Sequence, residues 1–298
     1  MDTSKLVVVA SDGENYGSTT FWEGTGASVQ ASEANKGLLP DGIPAPSAPS
    51  PVAALQRAMS GLAGVRNNHE VGLSRPYGKT RAHGKRALVV ERSDESGLTH
   101  STSFLAETVR IEGVGDAEAT YELKIHGATP EQEAGLRAAY ERALGQLEPT
   151  DLASWLVKEV VPVLDGVSLR KHGGFYYIPP QAQPRLAAVK AFIRATFVGA
   201  VVHSLPTVRS EEAVAAVTSA IVQEIQDLCL DFAEKSADGK YGKRALKARE
   251  LDLENAKAKL ARYEALLGAA LPQVHEQIEE VTGAICAAQL AEMATAAE

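Results

Sequence analysis

The chain has 298 residues, 45% hydrophobic and only 5% aromatic, with 30 Lys and Arg against 38 Asp and Glu for a formal net charge of −8. That length and apolar content can bury a core in one or two domains, and the acidic balance excludes a surface built throughout for nucleic acid while leaving room for a local basic patch. Cys229 and Cys286 fit no zinc or redox spacing and read as reduced structural thiols on helices.

Near the N-terminus, Leu6-Val7-Val8-Val9-Ala10 predicts a strand and not a signal peptide, since one lysine precedes it and no small-residue cleavage region follows. A second short strand is expected around Thr19 to Trp22, giving an N-terminal strand region over 1–37. Pro40, Pro44, Pro46, Pro49 and Pro51 crowd the segment 38–51, and prolines this dense fix φ and remove donors, so it reads as an extended tether. Ser50 can cap a helix with Pro51 in its first position and Val52, Leu55 and Met59 on one face.

From residue 86 to 126 the pattern is that of strands. "ALVVERS", "STSFLAETVRIEG" and "ATYELKIHG" follow one another, the last two joined by a turn at Gly113, Gly115 and Asp116. Tyr121, Leu123 and Ile125 alternate with Glu122 and Lys124, as on a sheet with one wet face. Thr129-Pro130-Glu131 then opens a helix to about Leu147, and Pro149-Thr150-Asp151 opens another to about Leu164. Val167, Leu169, Phe175 and Tyr177 flank Gly173-Gly174 as a hairpin, expected to pack Phe175 and Tyr177 inward around a wet tip. A helix from Pro184 to Phe197 follows.

In the last third, Val214, Val217, Ile221, Ile225, Leu228 and Phe232 step along one helix face. Leu246, Leu253, Leu260 and Leu267 recur every seventh residue, and Val274, Ile278, Val281 and Ile285 continue the rhythm. This spacing is a helical-bundle or coiled-coil seam, satisfied equally by self-association or by packing in cis. The expected fold class is α+β: an antiparallel sheet with flanking helices, the α+β domain proper spanning 52–205, followed by a C-terminal helical bundle or coiled coil over 210–298. No window offers about 18 unbroken apolar residues, so no membrane span is expected, and the chain reads as cytoplasmic.

Gly78-Lys79-Thr80 has the tail of a phosphate-binding loop, but the glycine needed five positions earlier is Leu73. The stretch is instead one of two basic clusters. The first holds Arg75, Lys79, Arg81, Lys85 and Arg86, and the second Lys240, Lys243 and Arg244. They share a similar hexapeptide at His83–Leu88 and Tyr241–Leu246. The segment from Gly268 onward carries five glutamates and no lysine or arginine, and could pair with them. The seven histidines include no pair at metal-binding helical spacing, and neither a nucleophile elbow nor a cofactor motif is present.

"PSPVAALQRAM" and, about 120 residues later, "LRKHGGFYYIPP" resemble an uncharacterised family of bacteriophage and bacterial proteins with an L-R-x-x-G-G-x-Y-x-I-P hairpin. The resemblance implies a phage or mobile-element setting and no particular activity. The expected function is therefore a non-catalytic interaction or scaffold protein. It would self-associate through the C-terminal seam and use its basic loop to dock an acidic partner surface. Nucleic-acid binding through the two basic clusters is the alternative, and an enzyme without a readable motif the third reading.

Overall fold

The structure, a computed structural model, describes residues 15–24, 28–33, 39–67, 70–77, 85–94, 97–111, 120–171, 173–237 and 243–295. In chain order the elements begin with β1 (Asn15–Gly24), β2 (Val29–Gln30), α1 (Pro51–Gly61), β3 (Gly64–Asn67), β4 (Glu70–Pro76), β5 (Lys85–Asp94), β6 (Gly97–Ile111) and β7 (Thr120–His126). They continue with α2 (Pro130–Gly145), β8 (Gln146–Leu147), α3 (Pro149–Trp155), α4 (Val161–Val163), β9 (Val167–Ser168), β10 (Tyr176–Ile178) and α5 (Gln183–Thr196). The last are β11 (Ala200–Val208), α6 (Glu211–Ala237), α7 (Lys243–Leu267) and α8 (Pro272–Thr295). The class is α+β, but among the described residues the strands form three sheets where one was expected.

The meander β3-β4-β5-β6-β7 is antiparallel throughout and carries α1 and α2 on one face, around Leu55, Met59, Leu88, Phe104, Leu123 and Leu136. Its first two strands fall in a polar stretch whose alternation is too weak to read, and so went unexpected. Both helices start as their caps dictate. Ser50 Oγ accepts from the Ala53 N–H at 3.3 Å, and Thr129 and Gln132 exchange side-chain and backbone hydrogen bonds in a capping box. Arg57 of α1 reaches Asp151 and Glu148 at the start of α3, tying this layer to the rest of the chain.

The second sheet has the order β11-β1-β10-β9. One face packs on α3 and α5 through Trp155, Val189, Phe192, Tyr176, Ile178 and Val202. The other meets the C-terminal helices through Tyr16, Val167 and Tyr177. Gly17 makes the double use of β1 feasible. Its φ of +113° forms a bulge that turns Tyr16 to the bundle side, and a Cβ there would lie 2.5 Å from the Ile178 carbonyl oxygen.

Between α3 and α4, Leu156–Val160 is a π-helical turn. Pro162 has no N–H to give to the Lys158 carbonyl and its ring crowds that oxygen, so the helix widens there. The proline-rich segment is not a free tether. Ile43 and Pro46 are buried, and Trp155 Nε1 donates to the Pro44 carbonyl at 2.7 Å, strapping the segment to α3. The strand expected at 6–10, the turn at Gly113 to Asp116, and Lys79, Arg81 and Lys240 lie outside the described residues.

Candidate interaction surfaces

The leucine seam closes within the chain. Leu260, Leu267, Val274 and Ile278 pack with Val217, Ile221 and Ile225 of α6 and with Tyr16, Val167 and Tyr177 of the four-stranded sheet. Leu246, Leu253 and Ile285 close the far end around Phe232, with Val281 partly buried beside them. These side chains are enclosed within the chain, which is the packing in cis that the spacing allowed.

Charged groups fasten the bundle to the sheet layer. Asp165 sits just past α4 at φ +52°, where the Gly166 N–H reaches the Val161 carbonyl and the Asp165 N–H the Pro162 carbonyl. Glycine usually takes this left-handed position. Here aspartate accepts a two-pronged hydrogen bond from Arg262 at 2.6 and 2.8 Å, while its carbonyl accepts from Tyr263 Oη at 2.6 Å. Lys259 donates to the Gly166 carbonyl at 2.8 Å and to Glu224 at 2.6 Å. Asp165, Glu224, Lys259 and Arg262 line an open groove of about 570 Å³, but their ion pairs face one another, the arrangement of a clamp. Burial pushes the Tyr177 and Tyr263 hydroxyls well above the usual phenol range. The Leu271 N–H, with His275 beside it, holds the Glu264 carboxyl below its ordinary value.

The two basic clusters belong to different layers. Arg75, Lys85 and Arg86 lie on the β4–β5 hairpin, whereas Lys243 and Arg244 begin α7. Arg86 donates to Ser74 Oγ at 2.9 Å, and burial pulls its guanidinium below the ordinary value. Lys85 lies 3.4 Å from Glu107 and over the Tyr77 ring, and Arg75 is exposed. His126 also approaches Glu107, at 3.4 Å. This gathers an acid, a base and a cation, but on an exposed sheet face. Among the described residues no group of three or more His, Cys, Asp or Glu could hold a metal ion.

One open apolar surface is one that sequence reading missed. On the bundle side of the four-stranded sheet, α6 covers the β9–β10 end, and among the described residues no helix covers the β1–β11 half. Phe21 stacks on His203 at 4.9 Å between ring centroids and meets Phe175 at 5.2 Å, a row across β10, β1 and β11. The strands of the hairpin pair as expected, but of Phe175 and Tyr177 only Tyr177 is buried. Phe175 is 40% exposed, Val201 46%, Leu205 56% and Val198 76%. His203 Nε2 stands 3.9 Å from Glu23. On the opposite side of β11, Val202 and Ser204 are covered by α5, where Lys190 donates to Ser204 Oγ at 3.4 Å. The signal available in the sequence was "AVVHSLPTV", whose alternation is broken by Pro206.

The molecule is thus an α+β protein whose central sheet is packed on one face and half-covered on the other. The model of a family of unknown function, DUF6744, matches residues 29–298, and the chain belongs to that family. No curated protein and no solved structure matches it. Among the described residues one helix, α6 over Glu211–Phe232, is apolar and long enough to cross a membrane, with a mean hydropathy of 1.3. Its Val217, Ile221 and Ile225 are core residues of the bundle.

Proposed function

We propose that this chain is a non-catalytic interaction protein whose working surface is the bare half of the four-stranded sheet, not the leucine seam. The observation that carries the reading is the aromatic row in which exposed Phe175 meets half-buried Phe21 and His203, beside exposed Val201 and Leu205. Exposed apolar residues scattered singly are ordinary, but a contiguous patch rimmed by polar groups marks a contact site. The bundle supports the patch from one side and α5 from the other, so it is presented on a rigid platform.

A photo-reactive phenylalanine analogue placed at position 175, in cells making the protein, tests the reading. Tyr121, comparably exposed on the five-stranded sheet, serves as the control position. A discrete protein adduct at 175 and none at 121 is expected. Equal adducts at both positions, or none at 175, would remove the basis for the proposal. Nucleic-acid adducts at 175 would transfer it to the alternative class.

A further inference from the structure

We infer that a second copy of the chain joins the edge of this sheet, its β11 pairing antiparallel with the first about a two-fold axis between the two His203 residues. The inference goes beyond the interaction reading above, since it concerns the sheet edge and leaves the aromatic face open.

The argument begins with how the sheet edges are protected. An unpaired strand edge invites another strand, and natural edges are blunted by charge or by shortness. The edges of the five-stranded sheet follow that rule, since β3 has 4 residues and includes Arg66, and β7 carries Glu122 and Lys124. At one end of the four-stranded sheet, β9 has 2 residues. At the other end β11 runs for 9 residues as Ala-Val-Val-His-Ser-Leu-Pro-Thr-Val with no Asp, Glu, Lys or Arg. Among the described residues it pairs with β1 alone.

Charge selects the partner. The chain carries a net −8, so two copies meeting through most surfaces repel. An uncharged edge is where like chains approach at least cost, and nothing on the strand selects a partner of opposite charge. The pattern is also self-complementary. Val201 and Leu205 stand two residues either side of His203, on the same open face. Antiparallel pairing about His203 sets each Val201 opposite the partner's Leu205. It also places Pro206, which has no N–H to give, near the end of the ladder opposite Ala200, where a missing donor costs least. Centring on Ser204 would bring Pro206 inward, opposite Val202. The product is one continuous eight-stranded sheet whose two aromatic rows share a face. A strand edge is a small interface, so the dimer belongs to the weak class that forms at micromolar concentration.

The test is light-scattering mass on a sizing column from about 1 to 100 µM, with two variants. Wild type is expected to rise from 31.5 kDa towards twice that mass. Leu205→Lys places a charge on the edge without touching the core, and should raise the dissociation constant about tenfold or more with an unchanged circular dichroism spectrum. His203→Cys should form an intermolecular disulfide with oxidised glutathione, because directly opposed antiparallel Cα atoms lie roughly 4.5–5.5 Å apart, within disulfide reach. Ser204→Cys and wild type should not. A wild type that stays at monomer mass throughout overturns the second copy, and the photo-adduct at position 175 then judges the interaction reading separately. A dimer indifferent to Leu205→Lys, or one linked more readily through position 204, overturns the edge pairing.

Discussion

Truncating the leucine seam distinguishes an internal core from an intermolecular one. Leu260 has no exposed surface and is enclosed by residues of α6, α8 and the sheet, and Leu253 is nearly as buried two turns away. Each Leu→Ala change in such a site loses the transfer free energy of the deleted atoms and leaves a cavity, about 2–5 kcal/mol in all. The two sites belong to different core clusters, so their effects should nearly add, to roughly 4–10 kcal/mol. That is comparable with the whole stability of a typical domain, about 5–15 kcal/mol.

Urea unfolding followed by far-ultraviolet circular dichroism should therefore show a lower midpoint for Leu260→Ala and a bundle largely melted in the double variant. Trp155 lies in the other core cluster and Trp22 packs against it, so their fluorescence reports whether that layer melts with the bundle or separately. Size-exclusion mass of Leu260→Ala under native conditions should match wild type at every concentration. An unchanged midpoint with a mass that drops to monomer would refute packing in cis and restore the seam as an oligomer contact.

Further predictions concern the joints between layers. Asp165→Ala keeps the left-handed backbone but loses both the natural tolerance for it and the Arg262 contact, and should lower the melting temperature more than Asp165→Gly; the strain difference is about 1–2 kcal/mol. Trp155→Phe removes the bond to Pro44 and should cost about 1 kcal/mol, with faster proteolytic cleavage in the proline-rich strap. Tyr177 and Tyr263 ionise in the unfolded chain near pH 10 but higher when folded, so their burial contributes fully below about pH 10 and is lost as pH rises above it. Tyrosinate absorbance from these two should appear only together with loss of the helical signal. Glu264 titrates lower in the fold than in the unfolded chain, so its contribution is present above the ordinary carboxylate value and lost as pH falls through the folded one. Glu264→Gln should flatten that acid limb of a stability-versus-pH curve.

What could be read from the sequence was whatever local chemistry dictates. Ser50-Pro51 and Thr129-Pro130 announce helix starts because capping acts within four residues, and the period-two run in Tyr121–Ile125 announces a strand because both its faces are local. The three C-terminal helices were legible for the same reason, down to the side chains of their seam. Where that seam would be satisfied was not, because spacing alone does not say whether the partner is α6 of the same chain or a helix of another. The proline-rich strap looked like a tether because the groups that hold it, Trp155 on the Pro44 carbonyl, Arg185 on the Asp41 carbonyl and the core that buries Ile43, all lie about 100 residues or more away. β11 escaped for a related reason. Its buried side rests on α5 and its paired edge on β1, neither adjacent in a way that periodicity records.

That miss bears on function, since the two surfaces exchange roles. The regular repeat, which drew attention as an interface, is consumed in building the bundle. The irregular strand after α5, with its proline and lone histidine, is what the bundle leaves uncovered. Helices laid across the sheet could have shielded β1 and β11 as they do β9 and β10. Instead α6 follows β9, and Arg209, just past β11, donates to the Leu267 carbonyl and lies over Tyr16, drawing the chain towards the covered side. Covering the bare half would then require a longer connection between β11 and α6 than the two residues Arg209 and Ser210. The short connection keeps the bundle over Tyr16 and Tyr177, and Phe175, Val201 and Leu205 are left open as a direct consequence of it.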